Sequence, residues 1–242
     1  MRRFGLLGAN ISYSRSPLIH QQLFQLLGHE ATYELVDCAT FSREQLQQFA
    51  GLNVTIPHKE QILHCVDRCD EHVQAIGATN TIVWDGDELV AHNTDWLGFL
   101  HSIEPEQWRS RKVLLLGAGG AAKAVYYALC QLTDTISIAN RTYEHCLFVA
   151  PQTPILTLAE AEMTIQQYDY VVQATNQDFS WLNQAKYVYD LRYTTTNCQQ
   201  NGLLMLIHQA IVAQSYFWDQ PITNHRELAR IIERKIKNEL NK

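Results

Sequence analysis

Apolar positions along this chain repeat with two periods that take turns. RFGLLGA (3–9) and LNVTI (52–56) are short apolar stretches bounded by turn residues, and ATYELVD (31–37) alternates every second residue. Each predicts a β-strand. SPLIHQQLFQLLG (16–28) places apolar residues at helical spacing between a Ser-Pro start and a Gly stop, which predicts a helix. FSREQLQQFAG (41–51) predicts a shorter helix stopped by Gly51, and helical material follows from Pro57. TIVWDGDELVAHNTD (81–95) reads as a hairpin turning at Asp85-Gly86, and WLGFLHSI (96–103) as a helix. KVLLLGAGGAAKAVYYAL (112–129) gives a fully apolar strand, a glycine turn and a long helix. DTISIANRT (134–142), DYVVQATN (169–176) and KYVYDLRY (186–193) predict further strands, and GLLMLIHQAIVAQSYFW and ITNHRELARIIERKIKNEL predict two closing helices. Strand and helix alternating in this way predict α/β layering with parallel sheet. The polar stretch EPEQWRSR (104–111) is a plausible domain boundary.

Composition narrows the class. With 46% apolar and 18% charged residues, the 242-residue chain has ample material for a packed core. The net charge of -6 and the lack of a long basic run argue against a nucleic-acid partner. The apolar stretch near the N-terminus is broken by Gly8, Asn10 and Ser12. It is too short for a signal peptide or membrane span, so a cytoplasmic protein without a membrane partner is expected. Cys65, Cys69 and His72 share one helical face by spacing, but Ile62, Val66, Val73 and Ile76 lie on the same stripe. That is a core face, and no metal is expected there.

The stretch NVTIPHK (53–59) runs a strand into a proline, so Lys59 stands at a strand-to-helix corner. Open α/β sheets bind ligands beyond the carboxyl ends of their strands, so this lysine is either a solvated charge or a tool in a cleft. Ser14 and Ser16 lie in the first strand–helix connection, as turn or capping residues or as a pair that holds a carboxylate. Asn53 and Thr55 point one way along their strand, and Asn80 and Asp95 sit at strand borders. Such groups need partners, either one another or a polyol.

GAGGAA (117–122) sits where a dinucleotide-binding turn must sit. Gly117 makes the tight turn, Ala118 follows, Gly119 admits a pyrophosphate, and Gly120 and Ala121 open the helix with Ala122 in place of a third glycine. The next strand ends in Asn140-Arg141-Thr142 rather than in an acidic residue. A carboxylate there would repel a 2′-phosphate, whereas a guanidinium pairs with one, so NADP is favoured over NAD.

In this order SYSRSPLIH, NVTIPHK, IGATNT, NTD, GAGGAAKA, NRT and GLLMLIHQA resemble the shikimate dehydrogenase family over nearly the whole chain. The resemblance implies NADPH-dependent reduction of 3-dehydroshikimate, a small-molecule substrate, in aromatic amino-acid biosynthesis. It implies an N-terminal substrate domain (1–100, joined by the C-terminal helices 203–242) and a Rossmann-type NADP-binding domain (101–202), with the active site in the cleft between them. It assigns Lys59 and Asp95 as the catalytic pair. Ser14 and Ser16, helped by Tyr193, take the carboxylate; Thr55, Asn80 and Gln209 take hydroxyls, with Asn53 as support and Gly202 lining the cleft. The cofactor set adds Asn140, Arg141, Thr142, His145, Ala174 and Thr175 to the glycine turn. A monomer or a homodimer fits. A quinate-acting paralogue and a non-catalytic NADP-binding descendant are the alternatives.

The chain departs from the family's pattern in three places. Ala174-Thr175-Asn176-Gln177-Asp178 lacks the glycine that usually follows closely. Only TTTNCQQN separates Tyr193 from Gly202, which predicts loss of the cofactor domain's last helix and edge strand. His145 stands where a second arginine is usual, and a histidine is only partly cationic at neutral pH.

Overall fold

A computed structural model describes residues 1–150 and 152–240. Pro151, Asn241 and Lys242, which the sequence reading assigns to the cofactor domain and to the C-terminal segment, lie outside the described residues. The chain forms two compact units: residues 1–98 together with the chain from Leu206 on, and Phe99–Met205.

The first unit is built on a six-stranded sheet. Its strands are β1 (Arg2–Gly8), β2 (Ala31–Asp37), β3 (Gly51–Val54), β4 (Arg68–Cys69), β5 (Thr81–Asp85) and β6 (Glu88–His92), in the order β2-β1-β3-β5-β6-β4. β1 runs parallel to β2 and β3, whereas the β5–β6 hairpin pairs antiparallel with β3. The side-chain period of two divides the core between the faces. Leu7, Leu52, Val54 and Ile82 pack on one side with Leu46, Phe49, Ile62 and Val73. Phe4, Leu6 and Tyr33 pack on the other with Phe24, Ala213 and Phe217.

The helices of this part are α1 (Ser16–Leu27), α2 (Arg43–Leu46), α3 (His58–Gln61), α4 (Glu71–Ile76) and α5 (Asp95–Ser102). α1 ends on Gly28 in the left-handed conformation (φ 71°), as the sequence predicts. Two expectations are corrected. The helix expected over 41–51 is only α2, because Gly51 opens β3 against Phe4 instead of closing a helix. The helical span after Pro57 breaks into α3, a short 3₁₀ turn (Ile62–His64), β4 and α4, so Cys65, Cys69 and His72 do not share a helix face. Charged residues cause the break: Asp67 accepts from Leu89 N, and Arg68 pairs with Asp85 and Glu88, drawing this segment alongside β6. Asp70 then caps α4 through Val73 N at 2.7 Å.

In the second unit α6 (Pro105–Trp108) precedes β7 (Val113–Leu116), α7 (Gly120–Leu129), β8 (Ile136–Ala139) and α8 (Tyr143–Val149). β9 (Ile155–Leu156), α9 (Leu158–Thr164), β10 (Tyr170–Gln173), β11 (Val188–Asp190) and β12 (Gln200–Asn201) follow. All pairings are parallel, in the order β12-β11-β10-β7-β8-β9, which is the doubly wound dinucleotide-binding order. The strand order reverses between β7 and β10. The chain closes with α10 (Leu203–Trp218) and α11 (His225–Leu240).

The expected loss of the last helix and edge strand is half corrected. Among the described residues no helix joins β11 to β12, but the edge strand survives as two residues. It is held by side chains on both flanks: Gln199 Oε1 accepts from Val188 N at 2.7 Å, and Gln200 Nε2 donates to Ser102 O at 2.6 Å. Gly202, next in the chain, is buried with its backbone against Leu191; a Cβ there would lie 1.9 Å from the Leu191 carbonyl oxygen. Because that obstacle is backbone, no rotamer change relieves it. Gly202→Ala is expected to destabilise the protein by about 2–3 kcal/mol. A urea titration at constant slope measures this, and a midpoint equal to wild type refutes it.

Candidate active site

The carboxyl ends of β3 and β6 and the amino end of the antiparallel β5 between them gather most of the polar residues singled out in the first unit. The chain leaves β3 through Thr55 and the cis Ile56–Pro57 bond and enters α3, which carries Lys59. Asp95 opens α5 just after β6. The Lys59 ammonium donates to Asp95 Oδ2 at 2.5 Å, with both side chains largely buried (13% and 7% exposed). Asn80 Nδ2 donates to Asp95 Oδ1 at 2.9 Å, to Thr94 Oγ1 at 2.8 Å and to Gln209 Oε1 at 3.2 Å. An amide has two N–H protons, so three acceptors share them, and Gln209 Oε1, the most distant, has capacity left for a ligand hydroxyl.

Asp95 itself is fixed by a local turn. Its N–H donates to Asn93 Oδ1 at 3.0 Å, and Asn93 Nδ2 donates to Ala78 O at 2.8 Å. Asn53 is buried and bonded to Asn80 O and Thr81 Oγ1, so it supports Asn80 from beneath. Lys59, Asp95, Asn80, Asn53 and Gln209 therefore form one continuous network. Asn93, Thr94 and Thr81 belong to it as well, although the sequence singled out only the final residue of NTD.

The two serines form a separate pair. Ser14 Oγ accepts from Ser16 N and donates to Ser16 Oγ, both at 3.2 Å. Ser16 begins α1 and is buried, while Ser14 is half-buried. Arg15, not Ser16, is the cap residue of α1, and its own side chain makes no capping bond, so the first N–H of the helix is taken by Ser14 Oγ. Thr55 is half-buried against the same connection: a Cβ on Gly8 would lie 2.6 Å from its methyl group, so only glycine permits this approach.

In the second unit Gly117 follows β7 with φ 117°, a conformation that L side chains rarely adopt, and a Cβ there would lie 3.0 Å from both Ala174 O and Thr175 Cγ2. Gly119 is the extended N-cap of α7, which has no side-chain cap, and the space where its Cβ would stand is open. With Ala118, Gly120 and Ala121 it leaves the first N–H groups of α7 uncapped by any side chain, a cradle that fits a dinucleotide phosphate. At the end of β8, Asn140 Nδ2 donates to Thr142 O at 3.0 Å, and Thr142 stands at the N-cap position of α8 without a side-chain capping bond. Arg141 and His145 are exposed, and among the described residues Arg141 has no ion-pair partner. That leaves a guanidinium available for an anion.

The loop after β10 is tied down without a glycine. Thr175 N and Oγ1 both donate to buried Gln173 Oε1, and Gln173 Nε2 donates to Gln177 O. Arg192 bridges Asp178 (2.6 Å) and buried Asp190 (2.7 Å). The hydrogen bonds that Arg192 donates to these carboxylates, Asp190 foremost, outweigh burial and push the guanidinium pKa up. Tyr193, beside it, is half-buried, and Gly202 is packed against Leu191 as described. In the first unit His208 Nδ1 lies 2.9 Å from His225 Nε2, a histidine pair that the sequence did not single out.

Comparison with known proteins gives one answer. A family model described as the shikimate dehydrogenase substrate binding domain matches residues 6–82, and one described as shikimate / quinate 5-dehydrogenase matches residues 100–197. The chain is 33% identical to the shikimate dehydrogenase (NADP(+)) of Caldicellulosiruptor saccharolyticus, over 90% of this chain and 93% of the relative. It is 32% identical to that of Shouchella clausii, over 96% and 98%. Among solved structures, shikimate dehydrogenase 1 from Peptoclostridium difficile superposes with a TM-score of 0.88 at 25% identity, over 99% of each chain. The Thermus thermophilus shikimate 5-dehydrogenase in complex with NADP(H) and shikimate superposes with a TM-score of 0.80 at 26% identity, over 96% of this chain and 100% of that one. Sequence kinship across both units, a doubly wound second sheet and a lysine–carboxylate pair in the first therefore converge: the chain belongs to the shikimate dehydrogenase family.

Proposed function

We propose that the protein is an NADP-dependent shikimate dehydrogenase, an oxidoreductase that interconverts 3-dehydroshikimate and shikimate. The observation that carries this reading is the buried 2.5 Å pair of Lys59 and Asp95, surrounded by neutral amides able to bond a polyol. NADPH, when bound, supplies the hydride. As negative charge builds on the ketone oxygen, the Lys59 ammonium donates it a proton and offsets the charge in a site largely shielded from water. Asp95 holds that ammonium in place and accepts a hydrogen bond from a neighbouring ring hydroxyl. Asn80, Gln209 and Thr55 bind hydroxyls, with Asn53 in support. The Ser14–Ser16 pair holds the substrate carboxylate, and Tyr193 and Gly202 complete the proposed substrate set.

Gly117 to Ala121 hold the pyrophosphate, with Ala174 and Thr175 packed beside the turn. Arg141, Asn140, Thr142 and His145 hold the 2′-phosphate end. The exposed Arg141 without a carboxylate neighbour is the observation that favours NADP over NAD. Arg141→Ala is expected to raise the Michaelis constant for NADPH about tenfold, with turnover nearly unchanged, since it removes an interaction made equally before and in the transition state. Steady-state rates over a range of NADPH check this; an equal fall in turnover would contradict it.

Absorbance at the reduced-nicotinamide band tests the whole reading. Shikimate with NADP is expected to give the fastest initial rate, ahead of shikimate with NAD and of quinate with either cofactor. A preference for quinate would make the chain a quinate dehydrogenase, and cofactor binding without turnover would make it a non-catalytic relative. Among the described residues no helix is long and apolar enough to cross a membrane.

A further inference from the structure

We propose that Tyr33 is a positioning residue for the Asp95 carboxylate, acting through a buried run of hydrogen bonds: Tyr33, Asn53, Thr81, Asn80, Asp95. The inference rests on the proposed activity for its kinetic consequences, but not for the geometry itself.

Tyr33 lies on β2, two strands from Asn53, and reaches over β1 on the face that carries Phe4. Its hydroxyl donates to Asn53 Oδ1 at 2.8 Å. Asn80 O can only accept, so Nδ2 points at it (3.2 Å) and at Thr81 Oγ1 (3.0 Å), and Oδ1 takes the Tyr33 hydroxyl proton. Thr81 Oγ1, having accepted from Asn53, spends its own proton on Asn80 Oδ1 at 3.2 Å. Asn80 Oδ1 also accepts from Thr94 N at 2.7 Å, which turns Asn80 Nδ2 toward Asp95 Oδ1 at 2.9 Å. Every donor in the series points the same way and the last points at the carboxylate, so the bonds polarise one another.

Burial makes the series consequential. Tyr33, Asn53, Asn80 and Thr81 are all 4% exposed or less, so water cannot replace a missing partner. Burial also pushes the Tyr33 hydroxyl pKa well up, which keeps it a donor. The ring cannot swing away: His20 stacks flat on it at 4.1 Å, and Gln214 Nε2 holds His20 Nδ1 at 2.7 Å. Trp218 Nε1 in turn donates to Gln214 Oε1. Without the phenol oxygen's proton, Asn53 Oδ1 is left a buried acceptor that has lost its Tyr33 donor, and the amide loses the bond that anchors its oxygen side. A rotated amide would then set an oxygen against Asn80 O.

Tyr33→Phe removes the hydroxyl and keeps the ring on His20. Turnover of shikimate is expected to fall about tenfold, the size of one buried hydrogen bond, with the Michaelis constant for NADP unchanged. In an Asp95→Asn background the same change is expected to cost less than about twofold, because the group being positioned is gone. Independently of activity, the Asn80 side-chain amide protons, assigned by their loss in Asn80→Ala, are expected to exchange with solvent about tenfold faster in Tyr33→Phe. Thr81→Val breaks the series at its middle and is expected to reproduce both effects without adding to them, which keeps the test usable if Tyr33→Phe misfolds. Unchanged Asn80 exchange, or equal losses with and without Asp95, overturns the proposal. A wild type inactive with shikimate defeats the proposed activity, while the exchange measurement still decides whether Tyr33 orients Asn80.

Discussion

Lys59→Ala is expected to lower turnover on the order of 10²–10⁴-fold, the range that loss of a positioned proton donor and charge stabiliser produces. NADPH binding, followed by fluorescence of the reduced nicotinamide, is expected to stay within about twofold of wild type, because Lys59 removes a transition-state interaction only. The substitution has a second consequence. Asp95 is buried, so without Lys59 it keeps Asn80 as a partner but loses its counter-charge. An uncompensated buried charge destabilises a fold by about 3–5 kcal/mol in comparable cases. The double variant Lys59→Ala/Asp95→Asn removes both charges and separates the two effects: stability is expected to recover, and turnover is not. Turnover that recovers along with the melting temperature would show that Lys59→Ala had only damaged the fold. Turnover unchanged in the single variant would remove Lys59 from the chemistry.

How much of this was legible in the sequence depends on the length over which each signal runs. Lys59 and Asp95 stood out because NVTIPHK and HNTD place a charge at the end of a strand, but position alone left Lys59 either a solvated charge or a tool in a cleft, and only the family resemblance paired the two as catalytic. The GAGGAA turn was legible from its glycines, which follow a fully apolar strand and open a helix. Tyr33 was not, because in ATYELVD it is one more apolar ring on the buried face; its hydroxyl matters only through Asn53, twenty residues on in sequence and across β1 in space. β4, β9 and β12 have two residues each, too few for any period to register. The break in the helical pattern after Pro57 depends on Arg68 meeting Asp85 and Glu88, partners that only the folded sheet supplies. The Arg192 bridge in the glycine-free loop is likewise a long-range pairing, between Asp178 on one loop and Asp190 at the end of β11.

Acid is expected to unfold the first unit earlier than its carboxylates alone require, and His20 is the cause. Trp218 Nε1 must donate to Gln214 Oε1, so Gln214 presents its amide protons to His20 Nδ1. The proton of neutral His20 then sits on Nε2, which is buried with no partner. A second proton would place a cation in the core between Tyr33 and Phe217, and burial accordingly lowers the His20 pKa from 6.5 to about 3. The unfolded chain takes up a proton below its ordinary value while the folded chain does not. Stability is therefore complete above pH 6.5 and is lost as the pH falls toward about 3, by up to about 1.4 kcal/mol per pH unit. Asp67, Asp70 and Asp169, whose folded values lie below 3.8, lose their contributions at lower pH, and Glu44 and Glu160, held below 4.5, begin to lose theirs as the pH nears 4.5, so the histidines dominate between about 5.5 and 6.5. His29 shifts in the same direction, through partial burial and the charge of Arg2. For that reason the decisive measurement is a difference. His20→Asn keeps an acceptor where Nδ1 stands and cannot take up a proton. It is expected to be less stable than wild type at pH 7.5, having lost the stack on Tyr33, yet to lose less stability on acidification, by close to one proton's worth of slope. Urea midpoints at half-unit intervals from pH 7.5 to 4.5 give both slopes, and parallel curves for the two proteins would mean that His20 does not titrate between the folded and unfolded states.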